Sequence, residues 1–217
     1  MTYSGNVREG GPADVRELPE LVLTKISVGP MDNNVYLLRC RTTGSQVLVD
    51  AANDPSRILA LVGHGGLDAI ITTHAHADHW QALDEVADAT GAAVLAHPLD
   101  ADALPIGVTQ FVDDDDMIAV GEAELRVIHV AGHTPGGLVL VYDDPDGHDH
   151  LITGDSLFPG GVGKTASGVD FAQLMTDVEY KLFGQYTDEA WVYPGHGRDT
   201  TLGAERPRLD DWKERGW

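Results

Sequence analysis

Apolar positions along this chain mostly recur at every second residue or run unbroken over a few residues, and take a helical spacing in only a few places. Runs at Leu21 to Val28, Val35 to Cys40 and Val47 to Val49, parted by the polar turns GPMDNN and RTTGS, predict an antiparallel meander. A helix follows, with Asp54 placed to cap it, Pro55 to open it, Ile58, Leu59, Leu61 and Val62 as its apolar face, and Gly63 to end it. Leu67 to Thr72 reads as a short buried strand. Trp80, Leu83, Val86 and Ala87 then fall near helical spacing, with Gly91 just beyond, and predict a second helix.

Further strands are predicted at Ala93 to Ala96, Thr109 to Val112, Met117 to Val120, Glu124 to Val130, Leu138 to Tyr142, Leu151 to Thr153 and Trp191 to Tyr193. A third helix spans about Phe171 to Leu182, with Phe171, Leu174, Met175, Val178 and Leu182 on one face, and a short helix closes the chain. Residues 1–18 are polar and Gly-rich and read as a loosely held arm, which leaves 19–217 as a single domain. Two groups of strands with helices interspersed suit two sheets packed face to face, each with helices on its outer side.

The sequence has no internal repeat and no low-complexity linker. Its 217 residues are 42% hydrophobic, enough for a substantial core. No stretch approaches the roughly 18 uninterrupted apolar residues of a membrane span. The opening MTYSGNVREGGPADVRELPE has no apolar signal core, so a soluble, cytoplasmic protein without a membrane partner is expected. One cysteine, Cys40, excludes an internal disulfide framework and a thiolate-rich zinc site. Lys and Arg total 14 against 35 Asp and Glu, a net charge of -21 that would repel phosphate backbones, so no nucleic-acid partner is expected.

Candidate chemistry concentrates in THAHADH, which places His74, His76, Asp78 and His79 at the junction of a strand and a helix. Alternate residues of an extended segment point the same way, so His74 and His76 can grip one ion while Asp78 and His79 face a second. The plainer alternative is a helix-capping Asp78 with surface histidines. Three later segments, HVAGHTPGG, LITGDSLF and YPGHG, each put one more ligand, His133, Asp155 and His196, just past an apolar strand. Nitrogen and oxygen donors suit zinc, iron or manganese. The remaining histidines, His64, His97, His129, His148 and His150, read as surface or packing residues, and the run Asp113 to Asp116 as a solvated turn without calcium-loop spacing.

As a set, HxHxDH followed by a lone His, a lone Asp and a final His resembles the metallo-β-lactamase-fold superfamily, over about Leu21 to Arg198. The resemblance implies an α/β fold, an αββα four-layer sandwich of two mixed β-sheets packed face to face with helices outside. It implies His74, His76 and His133 around a first divalent ion and Asp78, His79 and His196 around a second, with Asp155 bridging. Zinc is the expected metal, with iron or manganese as alternatives. Asp78 and Asp155 are then the carboxylates of the catalytic centre, where a metal-bridging hydroxide attacks an acyl carbon. Asp50, in VLVDAAND, matches the superfamily's first motif, an acid that orients the ligand loop from behind; an ordinary turn Asp is the other reading.

Within the superfamily, the Asp at 155 departs from the commonest class B β-lactamases, which carry Cys there. The chain resembles most the type II glyoxalase branch, in a short bacterial form, which implies hydrolysis of a hydroxyacyl thioester of a small thiol. In GDSLFPGGVGKT, Lys164 corresponds to the residue that anchors the thiol carrier's carboxylate, although Thr165 and Ala166 stand where glutathione-specific enzymes have an aromatic residue. Those enzymes also carry a C-terminal helical domain, whereas roughly twenty residues follow His196 here. Two alternatives remain open: a mononuclear iron persulfide dioxygenase, with His74, His133 and Asp155 as ligands, and a lactonase, for which Phe158 stands nearest to the expected tyrosine.

Overall fold

The unbroken apolar runs are strands buried on both faces, as a sheet covered on two sides requires. A computed structural model describes residues 3–216; Met1 and Thr2 of the expected arm, and Trp217, lie outside the described residues. Seven strands form the first sheet in sequential order: β1 (Asp14–Glu17), β2 (Leu21–Val28), β3 (Asn33–Cys40), β4 (Gln46–Val49), β5 (Ala69–Ile71), β6 (Ala93–Ala96) and β7 (Gln110–Phe111). Pairing is antiparallel from β1 to β4 and parallel from β4 to β7. The second sheet draws on β8 (Met117–Val120), β9 (Ala123–His129), β10 (Leu138–Tyr142) and β11 (His150–Gly154). A small ribbon of β12 (Leu157–Phe158) and β13 (Gly161–Val162) intervenes before β14 (Trp191–Pro194) and β15 (Thr200–Thr201) complete it. Only the β11/β14 pair is parallel in that sheet.

Side chains alternate between two cores because successive Cβ atoms leave opposite faces of a strand. In β3, Tyr36, Leu38 and Cys40 enter the core between the sheets, while Val35 and Leu37 pack beneath the helices. In β10, Leu138, Leu140 and Tyr142 face inward and Val139 and Val141 outward. The helices α1 (Pro55–Val62) and α2 (Leu83–Thr90) cover the first sheet through Ile58, Val62, Leu83 and Val86. The second sheet is covered by α3 (Gly168–Asp177) with its π-helical extension Val178–Phe183 and, past the short α4 (Leu202–Glu205), by α5 (Leu209–Arg215), whose Trp212 is fully buried. The four-layer arrangement expected from the sequence is therefore present. No helix of the described residues is long and apolar enough to cross a membrane.

Two local expectations need correction. The third helix begins earlier than its apolar face suggests, because the Ser167 Oγ accepts the Asp170 N–H at 3.2 Å and caps it, and its last turn widens to π geometry. The described part of the arm is not loose. Asp14–Glu17 pair with β2 from Asp14↔Lys25 to Glu17↔Val22, and the Asp14 carboxylate accepts from the backbone of Ser4 and Gly5. Tyr3 Oη donates to Asp199 Oδ2 at 2.7 Å. These hydrogen bonds, with Leu18 and the Tyr3 ring packed on the core between the sheets, hold a segment whose other residues are mostly polar, so hydrophobic patterning does not register it.

At the foot of the arm, Lys25 and Asp199 form an ion pair of 2.5 Å with side chains 0% and 1% exposed. The ammonium also donates to the carbonyls of Gly5 and Gly197, so its proton-bearing corners are satisfied without water. Burial pushes the Lys25 amine down and the Asp199 carboxyl up, each partly restored by its partner. Replacing Asp199 by Ala strands a charge in the core. The expected loss is about 3 kcal/mol of unfolding free energy, read by denaturant titration; a loss within experimental error would mean that the pair carries no structural weight.

Candidate metal centre

Strands of both sheets end at one edge, and each ligand predicted from the sequence follows such an end. His74 comes shortly after β5, His133 after β9, Asp155 directly after β11 and His196 shortly after β14, while Ala77–His79 is a single 3-10 turn. The structure brings all seven predicted residues together. His74, His76 and His133 offer ligand atoms within 4.8 Å of one another, as do His74, His79 and Asp155, and Asp78, His79 and His196. The first and third groups are the two triads expected from the sequence. Asp155 stands between them, its Oδ2 3.4 Å from His133 Nε2 and its Oδ1 3.3 Å from His79 Nε2.

The outward nitrogens of these rings decide what the inward ones can do. His133 Nδ1 donates to the Lys164 carbonyl at 2.7 Å, and His196 Nδ1 to the Met31 carbonyl at 2.9 Å. His79 Nδ1 is 2.8 Å from Asp50 Oδ2. His74 Nδ1 lies 3.0 Å from the Thr73 hydroxyl, whose own proton goes to Asp50 Oδ2 at 2.8 Å, so the ring must be the donor. In their neutral form His74, His79, His133 and His196, each with its proton at Nδ1, present an Nε2 lone pair to the centre. His79 Nε2 and His196 Nε2 face each other at 3.2 Å, and His76 Nδ1 and His133 Nε2 at 2.9 Å. Ring nitrogens this close are held by a shared proton or by a cation between them.

Burial and charge point the same way. His74 Nε2 and Asp155 Oδ1 are buried polar atoms with no hydrogen-bond partner, a costly state that a metal ion would relieve. Burial, reinforced by the His79 imidazole, holds His74 well below the ordinary histidine range. His79 is pushed up to about 10: burial opposes this, but Asp50 and Asp155 prevail. Asp155 is held well below the carboxylate range, against its burial, by the imidazoles of His133, His196 and His79 that surround it. The carboxylates thus favour positive charge at this point. The donor set is all nitrogen and oxygen, since Cys40 lies buried between the sheets, and it fits a pair of zinc-, iron- or manganese-class ions.

Asp50 takes the place expected for it behind the ligand loop. It is 2% exposed, has a left-handed backbone (φ 59°) that Asp tolerates better than most residues, and also accepts the Thr73 N–H at 2.8 Å. Three supports were not foreseen. Asn33 Nδ2 donates to Asp78 Oδ2 at 2.9 Å. Asp100 accepts from Ala75 N and Gly136 N, both at 2.8 Å, tying the HxH loop to the loop of His133. Asp177 accepts from Ala131 N at 2.9 Å. None has a local signature: Asn33 opens β3, Asp177 ends α3, and Asp100, four residues past β6, looks like any turn residue.

The cluster opens onto a cavity of about 400 Å³ lined by Met31, His76, Asp78, His133, Asp155, Lys164, Thr165, Ala166 and His196. Through His133 and Ala166 it continues into a hollow of about 330 Å³ that reaches Asp170 and Gln173 on α3. Such volumes suit a small-molecule ligand. The Phe158 ring lies 6.2 Å from that of His196 and has no hydroxyl to offer.

Residues 28–206 match the family model of the Metallo-beta-lactamase superfamily, and the chain belongs to that superfamily. It is 35% identical over 138 residues to a hydroxyacylglutathione hydrolase of Rhodospirillum rubrum, covering 63% of this chain and 52% of that protein. With a hydroxyacylglutathione hydrolase of Anaeromyxobacter dehalogenans it shares 39% identity over 172 residues, 76% of this chain and 61% of the relative. The chain therefore spans between about half and three fifths of the length of these two relatives. Among solved structures it is similar to ETHE1 from Myxococcus xanthus (TM-score 0.75, 25% identity, 89% of this chain and 87% of that one). It is also similar to TTHA1623 in a di-iron-bound form (TM-score 0.66, 32% identity, 84% and 96%).

The bare backbone at Gly195 gives a direct test of the cluster. A Cβ there would fall 2.2 Å from Asp155 Oδ1 and 2.7 Å from His79 Cε1. Gly195→Ala is expected to weaken divalent-ion binding by about 10- to 100-fold while far-UV circular dichroism stays native. Chelator competition measures the affinity, and an unchanged value would remove Asp155 and His79 from the ligand set.

Proposed function

We propose that this member of the metallo-β-lactamase superfamily is a metal-dependent hydrolase that cleaves a hydroxyacyl thioester of a small thiol. The observation that carries the reading is the cluster of inward-facing histidine nitrogens around Asp155, at the floor of a cavity with a lysine on its wall. His74, His76 and His133 would hold one ion, Asp78, His79 and His196 the other, and Asp155 would serve both. The bound pair would supply a water of lowered pKa and an electrophile for the acyl oxygen. The protein's own groups do the rest. Lys164, exposed on the cavity wall, presents its ammonium to the carboxylate of the thiol carrier, and Met31 and Ala166 give apolar surface to the acyl chain. The relatives at 35% and 39% identity carry the name hydroxyacylglutathione hydrolase, which supports the thioester as substrate class.

A second reading, oxidation of a thiol persulfide at one iron held by His74, His133 and Asp155, has one observation in its favour. The partnerless atoms of the cluster, His74 Nε2 and Asp155 Oδ1, both belong to that trio, and His133 Nε2 lies 3.4 Å from Asp155. Oxygen uptake with glutathione persulfide by iron-loaded protein distinguishes it from thioester cleavage. Lactone hydrolysis gains nothing from Phe158.

His76→Ala and Asp155→Ala are each expected to lower bound metal and thioester turnover by at least about a hundredfold in folded protein. Full turnover in either would refute the assigned ligands. Lys164→Ala should raise KM for acidic thioesters about tenfold, the worth of one charge-assisted hydrogen bond, with kcat and metal content little changed. Steady-state kinetics on acidic and neutral thioesters check this; equal KM for both proteins would dismiss the anchor.

A further inference from the structure

Outside the main cluster, two histidines read from the sequence as surface or packing residues meet an acid from the run read as a solvated turn. His97 follows β6, Asp113 follows β7 and His129 ends β9, so the group joins the first sheet to the second. One ligand atom of each lies within 4.8 Å of the others. The two imidazoles stack at 4.1 Å between centroids and 18° between planes. Each ring has its proton placed by the backbone. His97 Nδ1 accepts the Leu99 N–H at 3.2 Å, which puts the proton on Nε2, 3.1 Å from Asp113 Oδ1. His129 Nε2 donates to the Pro135 carbonyl at 2.8 Å, which leaves its Nδ1 lone pair open.

We propose that His97, Asp113 and His129 form a separate site for a single zinc-class divalent ion, with water completing its coordination. The inference is independent of the reaction carried out at the main cluster. Two imidazoles and one carboxylate on three strand ends are the minimal protein donor set for an open zinc site. Asp113 Oδ1 already takes the His97 N–H and the Asp114 backbone N–H at 2.7 Å; Oδ2 takes neither. The turn that carries the carboxylate is internally braced, with Asp113 N and His129 N donating at 2.8 Å to Asp116 and Asp114. Binding replaces the Nε2 proton of His97, and the half-exposed His129 ring tilts out of its stack toward Asp113.

The position gives the ion leverage. His97 sits so close to the loop of His133 that a Cβ at Gly136 would fall 2.8 Å from His97 Nδ1. Three residues beyond His97, Asp100 grips that same loop and the HxH loop. An ion here would clip the two sheets together beside the main cluster without taking any of its ligands.

The test is a zinc titration of purified protein, with bound ions counted by mass spectrometry after gel filtration, for wild type and for Asp113→Asn/His129→Gln. Both substitutions avoid the buried His97, and thioester turnover with circular dichroism confirms that the fold survives. Wild type should hold one more ion per chain than the double variant, or bind it at least about tenfold more tightly. Zinc should also shift the His97 and His129 ring resonances. Equal stoichiometry and equal affinity in the two proteins would overturn the site. In Asp155→Ala the extra ion should persist; its retention alongside absent turnover in wild type would count against the hydrolytic reading alone.

Discussion

The centre depends on where four histidine protons are not. A neutral imidazole with its proton on the outward nitrogen presents a lone pair inward, and here each outward nitrogen has an acceptor of its own: the Thr73 hydroxyl, itself held by Asp50, for His74, Asp50 for His79, the Lys164 carbonyl for His133 and the Met31 carbonyl for His196. Without those acceptors the same four side chains could rotate or exchange tautomers, and the inward face would mix donors with lone pairs. With them, the cluster has one electrostatic character. It tolerates the mutual repulsion of its nitrogens only because Asp78 and Asp155 make the space between them attractive to positive charge.

This orientation is only as good as the loops that carry the rings, and those loops are pinned largely by carboxylates. Asp50 holds Thr73, Asp100 holds Ala75 and Gly136, and Asp177 holds Ala131, each through a backbone N–H. All three acids are buried, so each bond forms where water competes little. Part of the chain's acidity is therefore structural, since carboxylates accept from the amides of loops that leave the sheets. Most of the remainder lies on the surface and gives a field that repels polyanions.

What could be read in advance follows from range. The strands and their two cores were legible because alternation is a property of neighbours in sequence: the faces of β3 and β10 can be assigned from Val35 to Cys40 and Leu138 to Tyr142 alone. The seven clustered side chains were legible because each stands just past an apolar strand, where a rigid scaffold displays polar groups. Asn33, Asp100 and Asp177 were not, because their partners are backbone and side-chain atoms far along the chain. The arm escaped for the same reason: Tyr3 finds Asp199 across most of the polypeptide. His150, read as a surface or packing residue, proves to be a packing one, 2% exposed at the start of β11 with Nδ1 2.8 Å from the Tyr193 hydroxyl.

The segment Gly163-Lys164 links the histidine cluster to the cavity more tightly than its sequence suggests. A side chain at Gly163 would collide with the Asp155 carbonyl at 2.0 Å and with His133 Nδ1 at 2.8 Å, so only a bare backbone can pass there. That passage brings the next carbonyl, of Lys164, onto the His133 proton, while the Lys164 side chain reaches the cavity. One residue thus sets the lone pair of a candidate ligand through its main chain and faces the ligand space through its side chain. The two roles are separable by chemistry: a substitution at 164 spares the carbonyl, whereas one at 163 displaces it. A lysine reached by a longer or looser loop would keep its charge but lose its hold on His133. The spacing of glycine and lysine is therefore a constraint on the metal centre as much as on whatever binds beside it.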